Sequence, residues 1–174
     1  MQLTDKERLQ YALLYKILDN MNPNEGYDTY VKALESGFEY HYRDIFSQID
    51  NDVLTSQQCK EIIDILNMYR ALYFGYKRFK DEINDSELEE KSKFQGFDGN
   101  YEIKELSYVE YFVDDLKRFQ EIKEYRNGYN SHKELLKDYK GMLKIFLNLT
   151  SEQKIKLSKE KLLEILSIAP NAYI

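Results

Sequence analysis

Ser56-Gln57-Gln58-Cys59-Lys60-Glu61-Ile62-Ile63-Asp64-Ile65-Leu66-Asn67-Met68-Tyr69-Arg70-Ala71-Leu72-Tyr73-Phe74-Gly75-Tyr76-Lys77-Arg78-Phe79-Lys80 is the stretch whose reading decides the fold. Thr55 and Gln58 have the spacing of a capping box, so a helix opens at Ser56. Helical periodicity then separates two apolar stripes. One holds Cys59, Ile62, Ile63, Leu66 and Tyr73; the other holds Ile65, Tyr69, Leu72, Tyr76 and Phe79, with Ile83 in continuation. They lie a third of a turn or more apart around the axis. A helix that is apolar on two flanks is packed on two flanks, which predicts an all-α bundle around a central helix at about residues 56–80, with no sheet.

Outward from this rod the helical pattern continues in both directions. Towards the amino terminus, Thr4 and Glu7 form another capping box. Leu9, Ala12, Leu13 and Ile17, widened by Leu14, Leu18 and Met21, predict the broad face of a core helix, which Asn22-Pro23-Asn24 ends. Tyr27, Tyr30, Val31, Leu34 and Phe38 predict a second helix with Gly37 as a left-handed cap, and Tyr42, Ile45, Phe46 and Ile49 a shorter one after it. Residues 80–95 are charged and broken by Asn84-Asp85-Ser86, which predicts a mobile connection with a short helical turn.

Beyond that, Gly96-Phe97-Asp98-Gly99 reads as a turn. Asp98 caps the next predicted helix, which runs to about Tyr125 with Leu106, Val109, Phe112, Val113, Leu116 and Phe119 inward. Arg126-Asn127-Gly128-Tyr129-Asn130 closes it. Ser131 with Glu134 predicts another capped helix, with Leu135, Tyr139, Met142, Leu143 and Phe146 inside, and Ser158 caps a last one with Leu162, Leu163 and Leu166 inside. Length and pattern together predict one domain over residues 1–174.

Composition narrows the class. Only 7 Gly and 2 Pro are present, too few for the turns of a β-sandwich. A formal net charge of −6 opposes a phosphate-binding surface, and no basic recognition helix is visible, so nucleic acid is not an expected partner. Cys59 is the lone cysteine, which excludes an intrachain disulfide and fits a reducing compartment. No apolar run approaches the roughly 20 residues of a membrane span, and the amino terminus lacks the order of a secretion signal. The expected location is the cytoplasm.

The central helix also carries a resemblance. Ile62-Ile63-Asp64-Ile65-Leu66-Asn67-Met68-Tyr69-Arg70-Ala71-Leu72 resembles the characteristic helix of the bacterial YfbU family: aliphatic residues around an Asp, then Met-Tyr and Ala-Leu. Gly96-Phe97-Asp98, Tyr108-Val109, Gly128-Tyr129-Asn130, Tyr139 with Met142-Leu143, and Leu157-Ser158 follow in the family's order, so the likeness spans about residues 4–168. Arg70 stands where the family carries His. The resemblance implies an all-helical, oligomeric domain found in bacteria and their mobile elements, and it brings no catalytic residues.

Six polar positions are candidates for a site, functional or structural. Asp64 sits among aliphatic neighbours, and a buried carboxylate needs a partner or takes up a proton; a hydrogen bond to a Tyr hydroxyl, a cap N–H or an Arg is the first expectation. Tyr69 and Arg70 follow on the same helix. His41, flanked by Tyr40, Tyr42 and Arg43, carries the side chain suited to proton transfer near neutral pH, but with no fixed partner in the sequence a surface or interface role is the first expectation. Asp98 and Asn130 belong to turn-and-cap segments that a ligand pocket lined by Phe97, Tyr108, Tyr129 and Asn130 would also use. Cys59, on an apolar stripe, reads as inert packing.

Two scattered His and one Cys, with no Glu-x-x-His pair, leave no metal site. The phosphate-loop patterns and Gly-x-Ser-x-Gly are missing, and no cofactor is expected. With 16 Tyr and 9 Phe, the chain has more aromatic surface than one small core needs. The expected function is therefore a non-enzymatic protein-interaction or regulatory domain acting as a homo-oligomer, with another protein as a further possible partner. The competing expectation is an enzyme or small-molecule sensor with a pocket around Asp64, His41 and the Tyr cluster.

Overall fold

A computed structural model describes residues 2–47, 49, 52–124 and 128–171. Its helices are α1 (Asp5–Met21), α2 (Tyr27–Ser36), α3 (Tyr42–Ile45), α4 (Ser56–Ile83), α5 (Ser86–Lys91), α6 (Ile103–Glu110), α7 (Leu136–Leu147), α8 (Ser151–Ile155) and α9 (Lys159–Leu166). Short 3-10 turns cover Glu39–His41 and Gln120–Glu124, and a π turn covers Tyr111–Asp115. Among the described residues there is no strand, only one isolated bridge between Phe97 and Asn130. The fold is all-α, as the periodicity predicts.

The chain forms two compact units, Met1–Val53 and Leu54–Ile174. The bundle expected around the central helix is the second unit, and the first has a core of its own.

In the first unit, the predicted capping box is present: Thr4 Oγ1 accepts from the Glu7 N–H at 3.3 Å and Glu7 answers on the Thr4 N–H at 2.8 Å. The core is small, made of Ala12 from α1, Ala33 and Leu34 from α2, and Tyr42 and Ile45 from α3. Tyr11 stacks edge-on against Phe46 at 4.9 Å, and Tyr15 against Tyr30 at 5.4 Å. Arg8 Nη1 donates to the Leu34 carbonyl at 3.3 Å, and Lys16 pairs with Glu35 at 2.6 Å. Helix α1 therefore packs through the face carrying Arg8, Ala12 and Tyr15. The broad aliphatic face expected in the core lies on the opposite side: Leu9 is 61% exposed, Leu13 51%, Leu14 56%, Ile17 56% and Met21 70%. Small Ala12 admits close approach and the Tyr rings supply contact area, so the core is satisfied without the aliphatic row. Gly37 ends α2 in the left-handed region at φ +70°.

In the second unit, α4 is the axis. Thr55 and Gln58 form the expected box, with Gln58 N–H on Thr55 Oγ1 at 3.3 Å and Thr55 N–H on Gln58 Oε1 at 2.9 Å. Ile62, Ile65, Leu66, Met68, Tyr69, Leu72, Tyr73, Gly75 and Tyr76 are buried along it. Both predicted stripes are used, since Ile62 and Leu66 of one and Ile65, Tyr69 and Leu72 of the other are each about fully covered. Helices α5 to α9 supply the cover. Gly75 lies under α9, where a Cβ would stand 3.4 Å from Leu162 Cδ1.

Residues 80–95, expected as a mobile charged connection with a short helical turn, hold the last turn of α4 and the short helix α5, and are built into this unit. Asn84 closes α4 at φ +43°, Asp85 caps α5 through the N–H groups of Glu87 and Leu88, and Phe94 is fully buried. The Tyr76 hydroxyl donates to the Asp85 carbonyl at 2.6 Å, tying the link to the axis.

Helix α6 ends earlier than its apolar pattern suggests. It passes into the π turn at Tyr111, and Leu116 N–H bonds the Tyr111 carbonyl at 3.0 Å. Lys117 then takes φ +55° and Arg118 N–H returns to the Phe112 carbonyl, six residues back, at 3.1 Å, so the chain leaves the helix through a left-handed residue. This stop leaves Leu116 46% exposed, against the inward position expected for it, whereas Phe119 is buried. The expected helix end at Tyr125 and the break at Arg126-Asn127 lie outside the described residues.

Helix α7 starts at Leu136, and the Ser131–Glu134 box predicted for it is not formed. The Ser131 hydroxyl instead donates to the Lys133 carbonyl at 2.6 Å. Leu135, Tyr139, Met142, Leu143 and Phe146 all face the core, as the spacing predicts.

Because Leu72 is fully buried in the middle of α4, Leu72→Ala is expected to destabilise the second unit by about 3 kcal/mol. Urea denaturation followed by far-ultraviolet circular dichroism checks this; a loss below about 1 kcal/mol would contradict a close-packed axis.

Candidate functional site

Asp64 and Arg70 reach the surface of α4 on one side, and there α4, the end of α7 and α8 enclose a cleft of about 420 Å³. Its lining combines Asp64, Asn67, Arg70, Ala71 and Phe74 from α4 with Phe146, Leu147, Ser151, Lys154 and Ile155. Helix α8 exists because Thr150 and Gln153 form a capping box, with the Gln153 N–H on Thr150 Oγ1 at 3.3 Å. That box places Ser151 and Lys154 on the rim.

Asp64 is half-buried and takes a different partner from those expected: Lys60 Nζ, one helical turn earlier, at 2.7 Å. Its aliphatic neighbours point to the core, but the 100° step per residue turns Asp64 to the edge of the buried arc. Arg70 makes a two-pronged pair with Glu121, through Nε to Oε1 and through Nη2 to Oε2 at 3.1 Å. Its guanidinium also lies 4.0 Å from the ring centre of Phe119. Phe119 has φ +49°, a left-handed conformation disfavoured for a large side chain, and the Arg70 contacts hold that segment against α4.

Tyr69 points the other way, into the core. Its hydroxyl lies 3.7 Å from Met142 Sδ, and its ring meets Phe94 and Tyr139 edge-on at 5.5 and 5.2 Å.

The two Gly-aromatic turns meet in a second polar cluster. Phe97 N–H bonds the Tyr129 carbonyl and Ser131 N–H bonds the Phe97 carbonyl, both at 2.9 Å. Asp98 is buried and its Oδ1 accepts from the N–H groups of Asn100 at 2.6 Å and Tyr101 at 2.9 Å. It shapes the turn, while α6 begins later, at Ile103. Asn130 Oδ1 accepts from Gly99 N–H at 3.0 Å and His132 N–H at 2.8 Å, joining the two turns. The Tyr139 hydroxyl donates to the Gly96 carbonyl at 2.9 Å. Gly96 sits at φ +92°, where a Cβ would fall 1.8 Å from the Tyr129 carbonyl oxygen. Phe97 is fully buried against Phe94 and Tyr139.

Glu102, which no local motif marks in the sequence, holds this cluster together. It is 6% exposed, and Oε2 accepts from the Asp98 N–H at 2.9 Å. Oε1 accepts from Leu135 N–H at 2.9 Å and Leu136 N–H at 2.7 Å. Glu102 thus caps α7 from more than thirty residues away, in place of the Ser131–Glu134 box. The available signal was Leu135 and Leu136 following directly on a box too short to reach them.

The remaining candidates stand apart from these clusters. His41 belongs to the first unit, where Nδ1 lies 3.3 Å from Asp44 Oδ2 in an exposed pair. It lines a cleft of about 460 Å³ with Asp28, Lys32 and Phe38. Cys59 is half-buried, its Sγ 3.6 Å from the Leu54 carbonyl. Among the described residues, no group of three His, Cys, Asp or Glu could hold a metal ion. No described helix is long and apolar enough to cross a membrane.

An all-α fold and structural caps where motifs were conspicuous define a helical protein. Residues 1–168 match the family model described as the YfbU domain, and the chain belongs to that family. A relative from Methanocaldococcus jannaschii, described as "UPF0304 protein MJECS11", is 33% identical over 170 residues, covering 95% of this chain and 99% of that one.

Two measurements test the polar cluster. Glu102→Gln places an amide donor against backbone donors and is expected to cost about 2–3 kcal/mol. Hydrogen exchange should then show lost protection at Leu135 and Leu136. Secondly, burial and then the charge of Asp114, 3.2 Å away, push the Tyr129 hydroxyl up to about 12 from 10.0. The folded state keeps that proton longer than the unfolded chain, so this contribution is complete below pH 10 and is lost as pH rises to about 12. Across that window Tyr129→Phe should lose less stability than the native chain in thermal melts.

Proposed function

We propose that the chain is a non-enzymatic protein-interaction or regulatory domain of the cytoplasm, assembling as a dimer or higher homo-oligomer. The observation that carries this reading is the outward row on α1, Leu9, Leu13, Leu14, Ile17 and Met21, each at least half exposed. Together they form a contiguous apolar patch on the order of 500 Å², at the upper end of what a monomer leaves uncovered. A second copy presenting the same row would cover it symmetrically, and the patch supplies most of the roughly 800 Å² per partner of a stable interface. Phe38, 50% exposed, and Tyr40, 87% exposed, add aromatic area to the same unit.

The enzyme or sensor reading is less well supported. Tyr69 and Tyr139 are spent on core packing, and Asp64 and His41 are each engaged by a neighbour on their own helical segment.

Sedimentation velocity at micromolar concentration is expected to give twice the chain mass or more. The double substitution Leu13→Asp with Ile17→Asp, on a face that the first unit's core does not use, should weaken association by at least about 100-fold while helical circular dichroism is unchanged. A native chain that stays monomeric to hundreds of micromolar would overturn the proposal.

A further inference from the structure

We infer that the cleft between α4, the end of α7 and α8 binds a small amphipathic carboxylate, an alkyl or aryl chain ending in one carboxylate group. This goes beyond self-association and does not depend on it. The cleft's size, about 420 Å³, falls in the range of roughly 300–1,000 Å³ typical of small-molecule sites. Its apolar part is open: Phe74 and Leu147 are each 47% exposed and Ile155 is 84% exposed. Ala71, partly buried, is the smallest side chain of the lining.

The charges on the rim select the ligand's polar end. Asp64 is neutralised by Lys60 at 2.7 Å and Arg70 by Glu121. Lys154 is different. Its Nζ donates to the Leu147 carbonyl at 3.1 Å and, among the described residues, pairs with no carboxylate. Its Nζ also lies 5.7 Å from the Phe146 ring centre, yet two of its three N–H groups make no hydrogen bond, and it is the one lining charge without a carboxylate counter-ion among the described residues. Arg70 keeps the N–H groups of Nη1, since Glu121 takes Nε and Nη2. The Asn67 amide and Ser151 hydroxyl on the same rim make no side-chain hydrogen bond among the described residues. An anion is thus the complement of the rim, and a hydrocarbon chain the complement of the floor. A charge-assisted bond from Lys154 would distinguish a carboxylate from an alcohol of equal length.

The test uses the full chain, labelled with nitrogen-15, and octanoate, 1-octanol and octylammonium as probes. Octanoate is expected to shift the amides of residues 67–74 and 146–155 saturably, with a Kd of about a millimolar or below. The alcohol and the ammonium should bind at least about tenfold more weakly. Lys154→Gln, at a side chain on the surface of the Phe146 ring, should reduce octanoate affinity about tenfold and leave 1-octanol unchanged. Ala71→Phe should fill the floor and abolish all binding; if that variant fails to fold, Lys154→Gln still decides the matter. The inference is overturned if octanoate gives no saturable shift at these residues, if octanol or octylammonium binds as tightly, or if Lys154→Gln has no effect. Because the probes report on residues 67–155 of each chain, their result is separate from the oligomeric state.

Discussion

Along the middle of α4 the second unit covers all but the edge that carries Asn67, Arg70 and Phe74. Ile62, Ile65, Leu66, Met68, Tyr69 and Leu72 are all about fully covered, and they point to both flanks of the rod. A helix so buried cannot be stable in isolation, because intrinsic helix propensity amounts to tenths of a kcal/mol per residue against the transfer free energy of whole aliphatic side chains. The surrounding elements are therefore those that can supply cover: α6 and α7 with rows of apolar residues, α9 pressed close at Gly75, and a charged link that still contributes Phe94. The axis is fixed by its cover, and the cover by the axis.

Covering the rod brings polar backbone inside with it, and here Glu102 is decisive. The start of α7 and the turn at Asp98 both present N–H groups to a region with little water. One carboxylate satisfies three of them, which removes the penalty of buried unpaired donors. Asn130 and the Tyr139 hydroxyl extend the same logic to Gly99 and Gly96. What the sequence presents as two Gly-aromatic turns, suggestive of a ligand pocket, is a joint whose donors and acceptors are engaged with one another.

The legibility of the chain followed the range of the forces involved. Capping boxes at Thr4 and Thr55 and the double stripe of α4 depend on residues within a turn or two, and both could be read from spacing alone. The cap of α7 could not, because Ser131 and Glu134 imitate a local solution while Glu102 provides the real one from a distant loop. Helix α6 stopped early because Lys117 adopts a conformation usually left to glycine, so no breaker residue announced the end. The aliphatic context of Asp64 overstates its depth. Its neighbours mark the buried arc, yet whether an arc includes its edge depends on how closely α7 and α8 approach, and that distance is a tertiary quantity. Arg70 was legible as a candidate, but its partner Glu121 lies 51 residues on.

Helix α1 shows the same separation between pattern and use. Its amphipathic pattern is correct, but periodicity says only that one face is apolar, not what covers it. The first unit's core draws on Ala12, Ala33, Leu34, Tyr42 and Ile45, two of them alanines, and that is a thin core for about fifty residues. Domains of this size recover relatively little of their chain entropy by burial. Every aliphatic side chain of the α1 row that becomes covered adds on the order of 1 kcal/mol from the half of its surface still open to water. Under the proposed self-association, association and folding of this unit would draw on the same surface. A partner that covers Leu13 and Ile17 would stabilise α1 against α2 as well as joining two molecules, so the stability of the first unit should depend on protein concentration in a way that the second unit's does not.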